Sequence, residues 1–95
     1  MYTMNIQHDD DQKKGRFYIA EGNELLAEMT YVWAGSTRII IDHTDVNEKL
    51  KGQNAGRQLV ARAVAFARER GITILPLCPF AKSVFDKMPE YSDVL

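Results

Sequence analysis

The sequence predicts an α/β (α+β) fold on a mixed sheet, in the order β-β-β-β-α-β-α. Three stretches predict it. Residues 24–34 alternate apolar and polar side chains, as a strand with one buried face does. Residues 55–70 place Leu59, Val60, Ala63, Val64, Phe66 and Ala67 in one broad stripe at helical spacing. Apolar runs at 39–41 and 72–77 flank that helix. Strands joined through a crossover helix are parallel, and the crossover is right-handed.

The remaining elements follow in order. Residues 2–8 alternate weakly, with Tyr2, Met4, Ile6 and His8 on one side, and predict an edge strand. Residues 9–15 are a polar turn. Residues 16–20 are a short strand carrying Phe17 and Tyr18, and Glu21-Gly22-Asn23 turns it into the next strand as a hairpin. Leu25, Ala27, Met29, Tyr31 and Trp33 share the apolar face of residues 24–34 and are read as core. Gly35-Ser36 is a turn. Residues 37–43 form a fourth strand, because a β-branched run favours strand over helix. Gly71 caps the first helix. Residues 72–77 read as a short strand buried on both faces. Pro79 suits the first turn of a second helix running to about Met88, with Ala81, Val84, Phe85 and Met88 inward.

At 95 residues the chain has the length of one domain, 1–95. It is 45% hydrophobic and 26% charged with a formal net charge of −1, which gives no global electrostatic case for nucleic acid. One cysteine excludes an internal disulfide, and one cysteine with two histidines makes no structural zinc site. Residues 1–9 lack a basic and apolar leader pattern, and no run reaches membrane-spanning length. The expectation is a cytoplasmic protein without metal or membrane partner. The oligomeric state is open: an edge strand at 2–8 could pair with a second chain, but nothing requires it.

The chemistry concentrates where residues 37–43 lead into the helix. Gly52, Asn54 and Gly56 alternate just before and within its start. A strand, a loop of small residues and a helix N-terminus together hold phosphate, through unpaired N–H groups and the helix dipole. Ligands of a βαβ unit sit beyond the carboxyl ends of its strands. His43, Asp45 and Val46 lie at one such end and Cys78 at the other. A phosphate-bearing ligand whose reactive end reaches His43 or Cys78 follows.

The run Lys51-Gly52-Gln53-Asn54-Ala55-Gly56 resembles the acetyl-coenzyme A motif of the GNAT acetyltransferase superfamily, Gln/Arg-x-x-Gly-x-Gly/Ala. With His43-Thr44-Asp45-Val46, Pro76-Leu77-Cys78-Pro79-Phe80 and Pro89-Glu90-Tyr91, nearly the whole chain is similar to a minimal branch of that superfamily. The resemblance implies a sheet whose two parallel strands splay to admit acetyl-coenzyme A. Its pyrophosphate would meet the N–H groups of Gln53 to Gly56, its pantetheine would run along Asp45-Val46-Asn47, and Arg57 or a neighbouring base would meet an outer phosphate. Lys51 replaces Gln or Arg and loses the planar fork. Asn54 replaces Gly and tolerates left-handed backbone. The strand-helix-helix region with which longer members bind the acceptor has no counterpart here, so the acceptor side is expected to be open.

Two candidate catalytic residues remain. Cys78, ahead of a helix, could be a thiolate that accepts the acetyl group, or simply a small buried residue. His43 could deprotonate an acceptor amine, or be a hydrogen-bonded core histidine on the face of Ile39 and Ile41. Glu48 is a further candidate base. The expected function is acetyl transfer from acetyl-coenzyme A to the amine of a small molecule or protein. The alternatives are a non-catalytic coenzyme A-binding or sensor module and a plain interaction domain.

Overall fold

The computed structural model describes residues 5–95. Five strands form one sheet in sequence order: β1 (Gln7–Asp10), β2 (Lys14–Glu21), β3 (Glu24–Trp33), β4 (Arg38–Val46) and β5 (Thr73–Pro76). The first four are antiparallel neighbours, and β4–β5 is parallel. Helix α1 (Ala55–Arg70) joins β4 to β5, and α2 (Pro79–Lys87) follows. This is the predicted mixed sheet, with the central antiparallel strand and the βαβ unit where expected.

Both helices pack on one face. Leu59, Val60, Ala63, Val64 and Ala67 of α1 are buried with Phe17, Met29, Tyr31, Ile39, Ile41 and Ile74 of the sheet. The helical stripe read from periodicity is therefore the core seam. Gly71 ends α1 at φ 67, as its sequence position predicts, and returns its N–H toward Arg68. Among the described residues the other face has no helical layer. Leu75 and Leu77 are 39% and 61% exposed, which corrects the expectation that residues 72–77 are buried on both sides.

Two β-bulges shift side chains between the faces. Against β2, Ile19 pairs with Ala27 and Ala20 with Leu25, so Leu26 is inserted. Leu26 and Ala27 are then both buried and Leu25 is 44% exposed, which corrects the inward placement of Leu25. Against β3, Thr30 pairs with His43 and Tyr31 with Ile41, so Asp42 is the inserted residue.

The amino-terminal strand sits later than expected. β1 begins at Gln7, and the turn shrinks because β2 already starts at Lys14. Tyr2 and Met4 of the predicted 2–8 strand lie outside the described residues. His8 stacks on Phe17 with ring centroids 4.1 Å apart. Its Nε2 lies 2.6 Å from the Tyr31 hydroxyl, which donates to Asp10 Oδ2.

Burial holds the pKa of His8 below its ordinary 6.5, with Arg62 and Arg70 adding to the effect against Asp10 and Asp9. The folded chain therefore binds this proton less readily than the unfolded one. The His8 contribution is complete above about pH 6.5 and is lost as pH falls below it. Urea midpoints at pH 7.5 and 5.5 are expected to be lower at 5.5, and His8→Phe should flatten that difference.

Candidate active site

The helix start supplies the phosphate site. A 3-10 turn at Glu48–Leu50, anchored by buried Leu50, leads into the loop. Gly52 (φ 82) and Asn54 (φ 58) both take left-handed backbone. Asn54 thus meets the conformational demand of a position where glycine is favoured. Alternating left-handed residues turn successive N–H groups into one concavity. Asn54 makes no side-chain cap, and the first turn of α1 holds no acidic residue. The first helical N–H bond is Gln58 to Asn54, so the N–H groups of Ala55, Gly56 and Arg57 have no partner within the helix. Gln53 differs from expectation: its N–H donates to the Leu50 carbonyl at 3.1 Å. The open donors therefore begin one residue later.

Gly56 has a second role that the motif does not announce. A Cβ there would lie 2.5 Å from Phe80 Cζ and 2.7 Å from Cε2. Its missing side chain is the space in which the Phe80 ring rests. This contact joins the first turn of α1 to the first turn of α2.

Of the basic residues near the site, Lys51 and Arg57 are exposed and make no ion pair among the described residues. Arg68 is committed elsewhere, donating to Asp93 at 2.8 Å and to the Glu90 carbonyl, where it ties down the carboxyl-terminal turn. Glu48 is exposed.

The two parallel strands part after Ile41. β5 pairs with β4 only from Arg38 to Ile41, and the N–H groups of Leu77 and Cys78 both reach the Ile41 carbonyl at 3.0 Å. Beyond it, β4 continues to Val46 with its outer edge unpaired among the described residues. Asn47 N–H points back to Leu26 on β3, so by strand alternation the polar backbone of Thr44 and Val46 faces the gap. Asp45, opposite Glu28, is exposed.

Cys78 is the N-cap of α2 and is buried. Its Sγ–H donates to Thr44 Oγ1 at 3.3 Å. Burial pushes the thiol pKa up. The Thr44 hydroxyl and the N–H groups of Ala81, Phe80 and Thr44 outweigh that and hold it below the ordinary 9.0, although no formed cap bond is present. Thr44 is thus a site residue that sequence reasoning quoted without a role. We expect Thr44→Val to raise the pH midpoint of Cys78 alkylation, measured by mass spectrometry against a small thiol reagent.

His43 is exposed, not buried with Ile39 and Ile41 as its spacing suggested. The inserted Asp42 moves it to the open face, while Thr44 turns toward Cys78. His43 and Cys78 therefore come to the same strand end but flank β4 from opposite faces. Leu77 and Phe80, 61% and 39% exposed, add apolar walls beside Cys78 that sequence reasoning did not single out. Among the described residues, no group of three or more His, Cys, Asp and Glu could hold a metal, and no helix is long and apolar enough to cross a membrane.

The profile of the GCN5-related N-acetyl-transferase family matches residues 16–94. The chain is similar to a GCN5-like protein from Staphylococcus aureus, solved by NMR, at 37% identity, with 99% of this chain and 89% of that one covered and a TM-score of 0.77. More distant structures share the fold alone. One is the ribosomal-protein-alanine N-acetyltransferase of Brucella melitensis, at 12% identity, with 82% and 62% coverage and a TM-score of 0.66. Another is an aminoglycoside acetyltransferase from an uncultured soil metagenomic sample, at 14% identity, with 90% and 59% coverage and a TM-score of 0.58. The chain thus spans about three fifths of each of these two. No curated protein matches it. The sheet order, the parted parallel strands and the profile match over 16–94 agree, and the chain belongs to the GCN5-related N-acetyltransferase family.

Proposed function

We propose that this protein binds acetyl-coenzyme A and transfers its acetyl group to an amine. The observation that carries the reading is the meeting of three features at one strand end. These are the uncapped N-terminus of α1, the unpaired edge of β4 from Thr44 to Val46, and the Cys78 thiol. The pyrophosphate fits the open N–H groups at Ala55 to Arg57, where no carboxylate competes. Lys51 and Arg57 are free to meet phosphate charge. Pantetheine fits the edge of β4 as an added strand, hydrogen-bonded by Thr44 and Val46.

In the direct reaction the acceptor nitrogen attacks the thioester carbonyl carbon. The Val46 N–H polarises the carbonyl, the carbon–sulfur bond breaks, and coenzyme A leaves as the thiolate. The proton of the amine passes to His43 on the open face or to water. In the covalent route the Cys78 thiolate attacks the thioester carbonyl and displaces coenzyme A as its thiolate; the amine then attacks the acetylated Cys78, gives its proton to water and releases the Cys78 thiolate. Cys78→Ala separates the two: it abolishes the covalent route and leaves the direct one. Turnover unchanged after both Cys78→Ala and His43→Ala would remove these residues from the mechanism.

One observation favours a second reading, a coenzyme A-binding module without efficient catalysis. Cys78 is only 5% exposed, and His43 lies across β4 from it, so no base–thiol pair forms. Mass detection of acetylated product from a panel of amines decides between the two. The panel includes both a peptide amine and small-molecule amines, the kinds of acceptor in the names of two fold neighbours.

A further inference from the structure

The edge strand β1 is fastened by one half-buried ring. Within it only His8 is half-buried, while Gln7, Asp9 and Asp10 are exposed. Among the described strands β1 pairs with β2 alone. The His8 ring lies on Phe17 at 4.1 Å, and it meets Phe66 of α1 edge-on at 4.6 Å. Tyr31 reaches it from β3 by crossing β2. That crossing needs a glycine, because a Cβ at Gly15 would lie 2.5 Å from Tyr31 Cζ. The Tyr31 hydroxyl donates to Asp10 Oδ2 at 2.5 Å, and the Trp33 indole N–H donates to the same oxygen at 2.8 Å. With its own proton given to Asp10, the hydroxyl accepts from His8. Nε2 therefore carries the proton of the neutral ring, and Nδ1 is the atom left to titrate.

The surroundings decide which way it titrates. Burial opposes the imidazolium most strongly, and Arg62 and Arg70 of α1 add to it against Asp10 and Asp9 of β1. From β2, Arg16 is paired with Asp9 at 3.3 Å and Glu28 at 2.7 Å. From β3, burial and the bond to Asp10 push the Tyr31 hydroxyl up and keep it neutral. Burial raises the Asp10 carboxyl, but the Tyr31, Trp33 and Gln12 donors outweigh it and hold Asp10 below its ordinary 3.8. Asp10 thus stays ionised where His8 titrates.

We propose that β1 is a pH-released strap. When Nδ1 takes a proton, the imidazolium leaves Phe17 and Phe66 for water, the Tyr31–Asp10 tie opens, and β1 detaches from β2. The other four strands and both helices stay folded, because none of the buried core residues lies in β1. Release frees the β2 edge from Gly15 to Tyr18 and uncovers Phe17 and Phe66. The docked ring binds its proton less readily than the free one, so release grows as pH falls below about 6.5 and reverses above it. The start of α1 and the edge of β4 take no part, so the strap is independent of the transferase reading.

Amide hydrogen exchange of the full chain at pH 7.5 and 5.5, expressed as protection factors, tests this. At pH 5.5 the N–H groups shared by β1 and β2 should lose their protection, while those shared by β3 and β4 keep theirs. Trp33, the one tryptophan of the chain, should shift its emission to the red as its bond to Asp10 opens. In the unaltered protein both changes should share the midpoint of the His8 ring protons followed by NMR. His8→Phe keeps a stacked ring without a titrating nitrogen and should hold β1 protected at both pH values. Tyr31→Phe cuts the tie to Asp10 and should loosen β1 already at pH 7.5. Equal loss in both strand pairs, unchanged protection of β1, a midpoint apart from that of the His8 ring, or loss retained in His8→Phe would each overturn the proposal.

Discussion

Gly56→Leu is expected to lower affinity for coenzyme A about tenfold and to destabilise the fold by roughly 1–3 kcal/mol, the usual cost of overfilling a packed site. The cause is the Phe80 ring, which lies 2.5 Å from where the first added carbon would sit. Leucine favours helix over glycine by less than about 1 kcal/mol, so the clash outweighs propensity. Either the ring or the first turn of α1 must move. If the helix turn moves, its open N–H groups leave their positions. If the ring swings out, the first turn of α1 loses its apolar cover from Phe80. Phe80→Ala in the same chain should restore most of the affinity and stability. The four-variant cycle, read by calorimetry and thermal melting, should show a coupling of about 1–2 kcal/mol. Additive effects would mean that the two helix starts are not joined through this contact.

The second large effect is on stability. Phe17 is fully buried among His8, Tyr31 and Phe66, with the His8 ring stacked on it. Phe17→Ala is expected to cost about 3–5 kcal/mol. Domains of this size hold only about 5–15 kcal/mol in all. The melting temperature should fall by about 12–40 °C, at roughly 4–8 °C per kcal/mol. Leu25→Ala is the matched control. The first bulge puts Leu25 outside, so its loss should cost within about 0.5 kcal/mol. A large effect at Leu25 would mean that β3 pairs in the unbulged register.

The contrast between these two positions shows what was legible in the sequence. The stripe of α1, its Gly71 cap and the order of strands are local patterns, and they stand where the residues placed them. Bulges are different, because the inserted residue is set by pairing with a neighbouring strand. Nothing in Leu25-Leu26-Ala27 or in Asp42-His43-Thr44 says which residue is extra. Face assignments after each insertion therefore came out reversed, for Leu25 and for His43. The exposure of Leu75 and Leu77 depends on what packs over the sheet, which a run of apolar residues does not specify.

The candidate site was legible in the same measure. The left-handed Asn54 followed from its side-chain chemistry, and the helix-start position of Cys78 followed from Pro79. The Gln53 N–H spent on Leu50, the Thr44 contact to Cys78 and the Phe80 ring on Gly56 are contacts across loops and strands. They have no spacing signature.

The central claim is that the start of α1 and the free edge of β4 form one coenzyme site. The direct measurement is a titration with acetyl-coenzyme A followed by amide chemical shifts. Shifts are expected at Thr44 to Asn47, Asn54 to Arg57 and Cys78, with the Gly35-Ser36 turn unmoved. No shifts at millimolar ligand, or shifts centred on that turn at the opposite end of β4, would contradict it.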